Sequence, residues 1–147
     1  MTAAHCVEGF DKVEVFHPSK QSNKFNVKVG KRHTHRDLAV LEHQIPETEY
    51  FELVPTSLPV AIGDSVTALG YPSWGPGDSL NIRPGVISTL TVKSLIPLIE
   101  VTQKLAQGMS GGPLLNSSDA VVGIIHKGGP SEGRDFAVRI EVLEEWL

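Results

Sequence analysis

The sequence predicts an all-β protein, either a barrel or a sandwich, and three observations point that way. Short runs rich in Val, Ile, Leu and Thr are separated by Gly, Pro and Asn along the whole chain. Several of these runs alternate apolar and polar residues, as strands with one buried face do. Long amphipathic helical patterns are absent from the sequence. The length of 147 residues suits one domain with one compact core.

The first group of strands lies in the N-terminal third of the chain. Alternating residues predict strands at 13–16 and 25–29, and residues 38–42 continue the pattern directly after Asp37. We expect these three strands to belong to one sheet system.

A second group of six strands follows and would be enough to close a barrel. The expected strands are 65–70, 85–92, 98–102, 113–115, 121–125 and 136–140. Residues 55–63 are poor in strand signals and are predicted to be a connector. Residues 141–147 have the composition of a short terminal helix.

Composition and charge exclude several classes of function. The formal charge of −4 and the scattered Lys and Arg residues provide no basic surface for a nucleic-acid backbone. No apolar run approaches the roughly 18 residues that a membrane-spanning helix needs, so we expect no membrane partner. Cys6 is the only cysteine, which excludes an internal disulfide and leaves both the state of this thiol and the cellular compartment open.

Three short segments carry the chemistry of the chain. They are Thr2-Ala3-Ala4-His5-Cys6, Asp37-Leu38-Ala39-Val40-Leu41 and Gly108-Met109-Ser110-Gly111-Gly112-Pro113. Together they supply a base, an acid and a hydroxyl nucleophile, with the Ser in a Gly-rich turn that exposes backbone N–H groups. This combination favours acyl transfer, and peptide-bond hydrolysis in particular.

Each of the three residues also has a simpler interpretation. A Ser between glycines is often only a turn residue, one His among six is weak evidence, and an Asp before a strand is commonly a turn or capping group. The surrounding segments favour the catalytic interpretation in each case. An α/β-hydrolase esterase is disfavoured because its chain order is Ser, acid, His, whereas the order here is His, Asp, Ser.

The three segments resemble the signature segments of trypsin-like, chymotrypsin-fold serine proteases. Their intervals of 32 and 73 residues are similar to those of the compact bacterial HtrA-like branch. The resemblance implies two antiparallel six-stranded β-barrels in a single peptidase domain over 1–147, with 1–54 in the first barrel and 64–140 in the second. It also implies that no cofactor is needed and that the partner is a polypeptide substrate.

The resemblance assigns a role to each matching residue. Ser110 would attack the scissile carbonyl, His5 would be the general base, and Asp37 would orient the imidazole. The backbone N–H groups of Gly108 and Ser110 would form the oxyanion hole. Met109 stands where relatives carry Asp or Asn and cannot form an ion pair, so activation by a newly cleaved N-terminus is not expected.

The start of the sequence suggests a fragment. Relatives place several strands before the His segment, and only four residues precede His5 here. We therefore expect an incomplete first barrel. A signal peptide in a longer native chain would make the protein secreted or periplasmic; the sequence leaves the compartment and the oligomeric state open.

The residues that would line the substrate pocket are indicated less clearly by the sequence than the three catalytic candidates. The resemblance points to Lys104, Gln107, Ile125, His126 and Gly128. Lys104 argues against trypsin-like preference for basic side chains, and together with His126 it could favour an acidic residue. The alternative is that Lys104 faces solvent and the pocket accepts small apolar residues.

A metal site and a non-enzymatic function are the two remaining alternatives. His33 and His35 lie close together, but without a Cys or a carboxylate cluster they predict a solvated loop, and no metal site is expected. The main competing function is a protease-like domain that is catalytically inactive or truncated and serves for protein binding.

Overall fold

The computed structural model describes residues 1–46, 49–55, 58–126 and 133–146 of the chain. Nine strands account for most of its regular structure: β1 (Lys12–Val15), β2 (Phe25–His33), β3 (Leu38–Glu42), β4 (Ser65–Gly70), β5 (Asn81–Lys93), β6 (Ile96–Val101), β7 (Pro113–Leu115), β8 (Val121–His126) and β9 (Asp135–Arg139). Two 3₁₀ turns cover Ala4–Val7 and Pro18–Lys20, and a single helix, α1, covers Glu141–Trp146.

The strands form two separate antiparallel systems. Strands β1, β2 and β3 make a three-stranded sheet in that order, and the remaining six close a barrel in the order β4-β5-β6-β9-β8-β7. The all-β prediction with a closed six-stranded barrel is confirmed. In the described residues the first system is an open sheet of three strands, so only the second of the two expected barrels is closed.

Strand β5 is longer at its start than the sequence predicts. The predicted strand begins at residue 85, whereas β5 begins at Asn81. It pairs with β4 over residues 81–86 and with β6 only from Ile87 onward. Pro84 therefore has a strand neighbour on one side only, the edge position that prolines in sheets occupy.

The buried side chains form one large and one small core. The large core fills the barrel and includes Leu38, Ile99, Met109 and Ile125 among many others. The small core lies under the three-stranded sheet and consists of Ala4, Val7, Val29 and Ala39. Leu38, the first residue of β3, belongs to the large core. The two systems therefore meet next to Asp37.

The predicted connector and the end of the chain are only partly described. Thr56 and Ser57, within the connector 55–63, and Leu147, at the end of the predicted helix, lie outside the described residues. Leu53, just before the connector, makes a parallel bridge with Val121 of β8. Within the described residues, no helix is long and apolar enough to span a membrane.

Candidate active site

The segment that carries His5 is held against strand β3. Thr2 and Ala39 form an antiparallel bridge in which each backbone N–H donates to the other's carbonyl over 2.9 Å. The N–H of Ala4 donates to the carbonyl of Asp37 over 3.0 Å. This pairing brings two residues that are 32 positions apart in the sequence side by side.

His5 and Asp37 make two hydrogen bonds to each other. The backbone N–H of His5 donates to Asp37 Oδ1 over 2.8 Å. The ring Nδ1 of His5 lies 2.7 Å from Asp37 Oδ2. The carboxylate is mostly shielded, with 12% of its side chain exposed, whereas 42% of the His5 side chain remains exposed. The carboxylate is therefore held in place, whereas the imidazole remains open to solvent.

The backbone at Asp37 is in the left-handed region, with φ of 55°. Asp is one of the few residues that adopts this region readily, because its short side chain can bond locally. The conformation turns the chain from the loop after β2 into β3. It also places the carboxylate on the side that faces His5.

The electrostatics keep Asp37 ionised. Burial acts to raise the pKa of its carboxyl, but hydrogen bonds from His126 and from the backbone and ring of His5 outweigh burial and leave the pKa below its ordinary value. An ionised carboxylate only accepts hydrogen bonds, so Nδ1 of His5 carries the proton that it donates. The Nε2 lone pair of the neutral imidazole then points away from Asp37 and can accept a proton.

Ser110 lies in a turn that is anchored on both sides. Before it, the Met109 side chain is buried in the barrel core with 1% exposed. After it, the N–H of Gly111 donates to the Ile125 carbonyl and the N–H of Ile125 donates to the Gly112 carbonyl, both over 2.8 Å. The turn is therefore tied to strand β8 as well as to the core.

The same turn packs against the N-terminal segment. Gly111 has φ of +86°, and a Cβ at this position would lie 2.5 Å from Thr2 Oγ1 and 2.8 Å from the Ala3 nitrogen. The Cys6 thiol faces the Ser110 carbonyl oxygen at 3.8 Å. These contacts bring the segments of His5 and Ser110 together, although more than 100 residues separate them in the sequence.

Gly108 is required by its surroundings as well as by its backbone. Its φ is +92°, and a Cβ would come within 3.1 Å of the Pro72 Cα and 3.2 Å of the Ser73 nitrogen. A side chain at this position would both strain the turn and collide with the neighbouring loop. The assignment of its N–H and that of Ser110 to an oxyanion hole stays a prediction.

Cys6, next to His5, has the character of an unreactive thiol. Burial, followed by the negative charge of Asp37, raises its pKa, and a hydrogen bond with Thr2 opposes them less strongly. The thiol therefore stays protonated near neutral pH and does not compete with a hydroxyl nucleophile.

A second imidazole also binds the Asp37 carboxylate. Nδ1 of His126, the last residue of β8, lies 2.6 Å from Asp37 Oδ2. The two histidine rings are 6.2 Å apart between centroids and nearly perpendicular, at 87°. The sequence predicted substrate binding for His126 and did not indicate this contact. No local pattern could have indicated it, because the two residues are 89 positions apart.

The other expected pocket residues are dispersed. Lys104 and Gln107 are exposed, and the Lys104 carbonyl accepts a hydrogen bond from the Arg83 guanidinium over 2.6 Å. Ile125 is completely buried, so its side chain belongs to the barrel core, and its backbone is hydrogen-bonded to the Ser110 turn. Gly128 lies outside the described residues. Their assignment to substrate binding stays a prediction.

His33 and His35 do not contact Asp37. His33 accepts a hydrogen bond from the Arg36 N–H at 3.3 Å and packs edge-on against Trp146. His35 Nε2 lies 2.6 Å from the Ser94 carbonyl. Among the described residues, the group whose geometry could hold a metal ion is instead His5, Asp37 and His126, whose candidate ligand atoms all lie within 4.8 Å of one another.

A surface cavity of about 390 Å³ opens beside the His5–Asp37 pair. Its lining is rich in charged and titratable side chains and comprises Ala4, His5, Glu8, Arg32, Thr34, His35, Asp37 and His126. The cavity gives solvent and small solutes access to both imidazoles that contact Asp37.

The sequence matches a family model described as "Trypsin-like peptidase domain" over residues 1–124. A probable periplasmic serine endoprotease, DegP-like, from Halomonas elongata is 30% identical over 97% of this chain and 30% of its own length. Protease Do-like 5, chloroplastic, from Arabidopsis thaliana is 36% identical over 73% of this chain and 36% of its own length. The chain therefore spans about a third of the length of the curated relatives that it matches.

Solved structures share the fold over nearly the whole chain. The HtrA-type protease AlgW with tripeptide aligns with a TM-score of 0.81 and 24% identity, over 98% of this chain and 49% of AlgW. The MamO protease domain from Magnetospirillum magneticum aligns with a TM-score of 0.74 and 22% identity, over 99% of this chain and 80% of that chain. At these identities the alignments establish a common fold.

Proposed function

This chain belongs to the trypsin-like peptidase domain family, and we propose that it is a serine endopeptidase that hydrolyses peptide bonds through an acyl-enzyme on Ser110. The observation that supports the proposal is the His5–Asp37 pair, which is joined by two hydrogen bonds and lies beside the turn of Ser110. The pair has the orientation that a general base needs: Nδ1 is occupied by the carboxylate, and Nε2 is left for the nucleophile's proton.

In the first half of the reaction Ser110 Oγ forms a bond to the scissile carbonyl carbon. Its proton passes to Nε2 of His5, and the resulting imidazolium is stabilised by Asp37 Oδ2 at 2.7 Å. The negative charge on the carbonyl oxygen would be stabilised by the N–H groups of Gly108 and Ser110. His5 then returns the proton to the leaving amine as the peptide C–N bond breaks.

In the second half a water molecule replaces the amine. His5 takes a proton from that water, the hydroxyl attacks the acyl carbon, and the returned proton restores the Ser110 hydroxyl as the ester bond breaks. The cycle consumes one water and one peptide bond and leaves the protein unchanged, so it requires no cofactor.

A polypeptide is the substrate that fits this reaction best. The HtrA-type protease AlgW, which shares the fold, was solved with a tripeptide and also with a decapeptide. The residues proposed to bind the substrate are Lys104, Gln107, Ile125, His126 and Gly128. The division of the chain into a first-barrel part, connector, second barrel and terminal helix belongs to the same proposal.

The experiment that tests the proposal is labelling with a serine-directed fluorophosphonate. Only a serine activated by a neighbouring base reacts rapidly, so the purified chain is expected to label and Ser110→Ala is expected to lose the label completely. Ser117→Ala is the matched control, because Ser117 is exposed in a nearby turn outside the site. A folded protein that takes no label would instead support a protease-like binding domain.

A further inference from the structure

The proposed reaction needs one imidazole on Asp37, and the structure has two. Oδ2 of Asp37 lies 2.7 Å from Nδ1 of His5 and 2.6 Å from Nδ1 of His126. Hydrolysis through Ser110 uses the first contact only. The second imidazole comes from the end of β8, a different strand system from the one that carries Asp37, and it converts an acid–base pair into a three-membered group of ligand atoms.

The three side chains have the composition of a transition-metal site. Two imidazole nitrogens and one carboxylate oxygen, with a fourth position left for water, form a ligand set that Zn²⁺ commonly adopts. In a tetrahedral site with bonds of about 2.0–2.1 Å, ligand atoms lie about 3.3 Å apart. The three candidate atoms lie within 4.8 Å of one another, close to that separation.

The carboxylate is also supported from behind, as metal ligands usually are. Oδ1 of Asp37 accepts the backbone N–H of His5 over 2.8 Å, which holds the plane of the carboxylate while Oδ2 faces the two rings. The Asp37 side chain is only 12% exposed. A bound ion would therefore meet a prepositioned oxygen ligand.

Access and local charge are compatible with a cation. The cavity of about 390 Å³ reaches all three residues, and Glu8 lines it as a second carboxylate. Arg32 also lines the cavity and opposes a cation, but its guanidinium is directed to the Val7 and Phe10 carbonyls and lies 3.8 Å from Asp11. The positive charge is thus partly compensated by these partners.

We propose that His5, Asp37 and His126 form a Zn²⁺ site whose occupation excludes catalysis. The ion would replace the two hydrogen bonds to Asp37 Oδ2 by binding Nδ1 of each ring and that oxygen. Each neutral imidazole then carries its proton on Nε2 instead of Nδ1, with no net gain or loss of protons. His5 in this state has no lone pair for the Ser110 proton, so bound zinc switches the base off reversibly.

Zinc binding itself does not depend on the proposed function, whereas the exclusion of catalysis does. The first measurement is therefore binding, by calorimetric titration of ZnCl₂ into the metal-free chain. We expect one ion per chain, and at least tenfold weaker binding for His126→Gln, which keeps a hydrogen-bond donor toward Asp37 but loses the imidazole. His43→Gln is the matched control, since His43 is exposed and lies outside the group.

A Co²⁺ titration of the unmodified chain tests the geometry without relying on a variant. Four-coordinate Co²⁺ gives intense visible absorption bands, which zinc should abolish by displacement, whereas six-coordinate Co²⁺ gives weak ones. Weak bands, no bound zinc, or equal zinc affinity of the unmodified and His126→Gln proteins would each overturn the metal site and leave His126 as a positioning residue for Asp37.

The last measurement repeats the fluorophosphonate labelling with and without zinc. We expect saturating zinc to reduce the labelling rate at least tenfold and a chelator to restore it. Labelling that zinc at saturation does not slow would overturn the exclusion of catalysis. Zinc binding to a chain that never labels would support the metal site while refuting the proposed hydrolase, so the two failures are distinguishable.

Discussion

At the scale of single residues, Asp37 is the centre of the site. Its carboxylate faces three donors: the backbone N–H and ring of His5, and the ring of His126. Its left-handed backbone, with φ of 55°, directs it toward them. In the proposed mechanism the His5 base therefore depends on a residue that does not itself react with the substrate.

Replacing this carboxylate by an amide should abolish most of the activity. In Asp37→Asn the amide can donate to Nδ1, which favours the His5 tautomer with its proton on Nε2, and we expect kcat to fall roughly 10³-fold to 10⁴-fold. The rate of fluorophosphonate labelling measures the effect. Asp119→Asn is the matched control, because Asp119 is also a positive-φ Asp, at 58°, in an exposed turn outside the site. Equal rates for Asp37→Asn and the unmodified protein would refute the role of Asp37.

A methyl group at Gly111 should separate the Ser110 turn from the His5 segment. Its Cβ would lie 2.5 Å from Thr2 Oγ1, so Gly111→Ala should destabilise the fold and sharply reduce labelling. Gly77→Ala controls for backbone strain, since Gly77 has φ of +96° but open space around its Cβ. Gly77→Ala should cost only about 1 kcal/mol and leave labelling unchanged. Urea unfolding of both variants measures the difference; similar losses in both would refute the packing argument.

At the scale of strands and turns, the barrel is closed around β9. This strand pairs with β6 on one side and with β8 on the other, and β8 carries both the Ile125 backbone that ties the Ser110 turn and His126. A side-chain bridge reinforces the first pairing: the Arg134 guanidinium donates to both carboxylate oxygens of Glu100, with Nε at 2.7 Å. The bridge holds the first residues of β9, which pair with β6 on one side and with His126, at the end of β8, on the other.

This bridge should make stability depend on pH. The hydrogen bond from Arg134 lowers the pKa of Glu100 below its ordinary value, against an opposing effect of burial. A group whose pKa is depressed by folding stabilises the protein above its unfolded pKa, about 4.3 for Glu, and loses that contribution as the pH falls through the folded pKa.

Glu100→Gln should therefore be less stable than the unmodified protein at pH 7, by no more than about 1 kcal/mol since Arg134 is partly exposed, and the difference should shrink as the pH falls below about 4. Urea denaturation across this pH range measures the difference. Glu42→Gln, which breaks an exposed pair with Lys28 at 3.8 Å, is the control. A difference for Glu100→Gln that persists unchanged at pH 3 would show that Arg134 and Glu100 do not act through charge.

At the scale of the whole molecule, the site lies where two unequal halves meet. The barrel has a large core, whereas the separate core beside the three-stranded sheet consists of four buried residues, Ala4, Val7, Val29 and Ala39. His5 and Asp37 belong to the smaller half, and Ser110 and His126 to the larger. The alignment of the proposed triad therefore depends on the docking of the smaller half onto the larger.

Hydrogen exchange should reveal this asymmetry. Since few apolar contacts stabilise β1 and β2, their amides should exchange at least tenfold faster than those of β6, β8 and β9 in the native protein. Exchange followed by mass spectrometry resolves the two regions. If all strands exchange at one common rate, the two halves unfold as a single unit and the idea of a weaker half is wrong.

The sequence alone was sufficient for the local features. Alternation of apolar and polar residues identified the three strands of the first sheet, because a half-buried strand repeats every two positions. Runs rich in Val, Ile, Leu and Thr between turn residues identified the six barrel strands. The three motif segments identified the family, since each combines residue types that chemistry and turn geometry both demand. Strands β2 and β5 were the main exceptions: β2 continues past Gly30 to His33 and β5 begins before Pro84, and both residue types weaken a strand signal in the sequence.

Only the tertiary structure decided which residues meet. The contact of His126 with Asp37 spans 89 residues and depends on how β8 passes the end of the N-terminal segment, which no local pattern encodes. The fit of Gly111 against Thr2 and the burial of Ile125 depend on the same packing. Periodicity and motif spacing describe a chain relative to itself, whereas the second imidazole on Asp37 is a property of the space between two sheets.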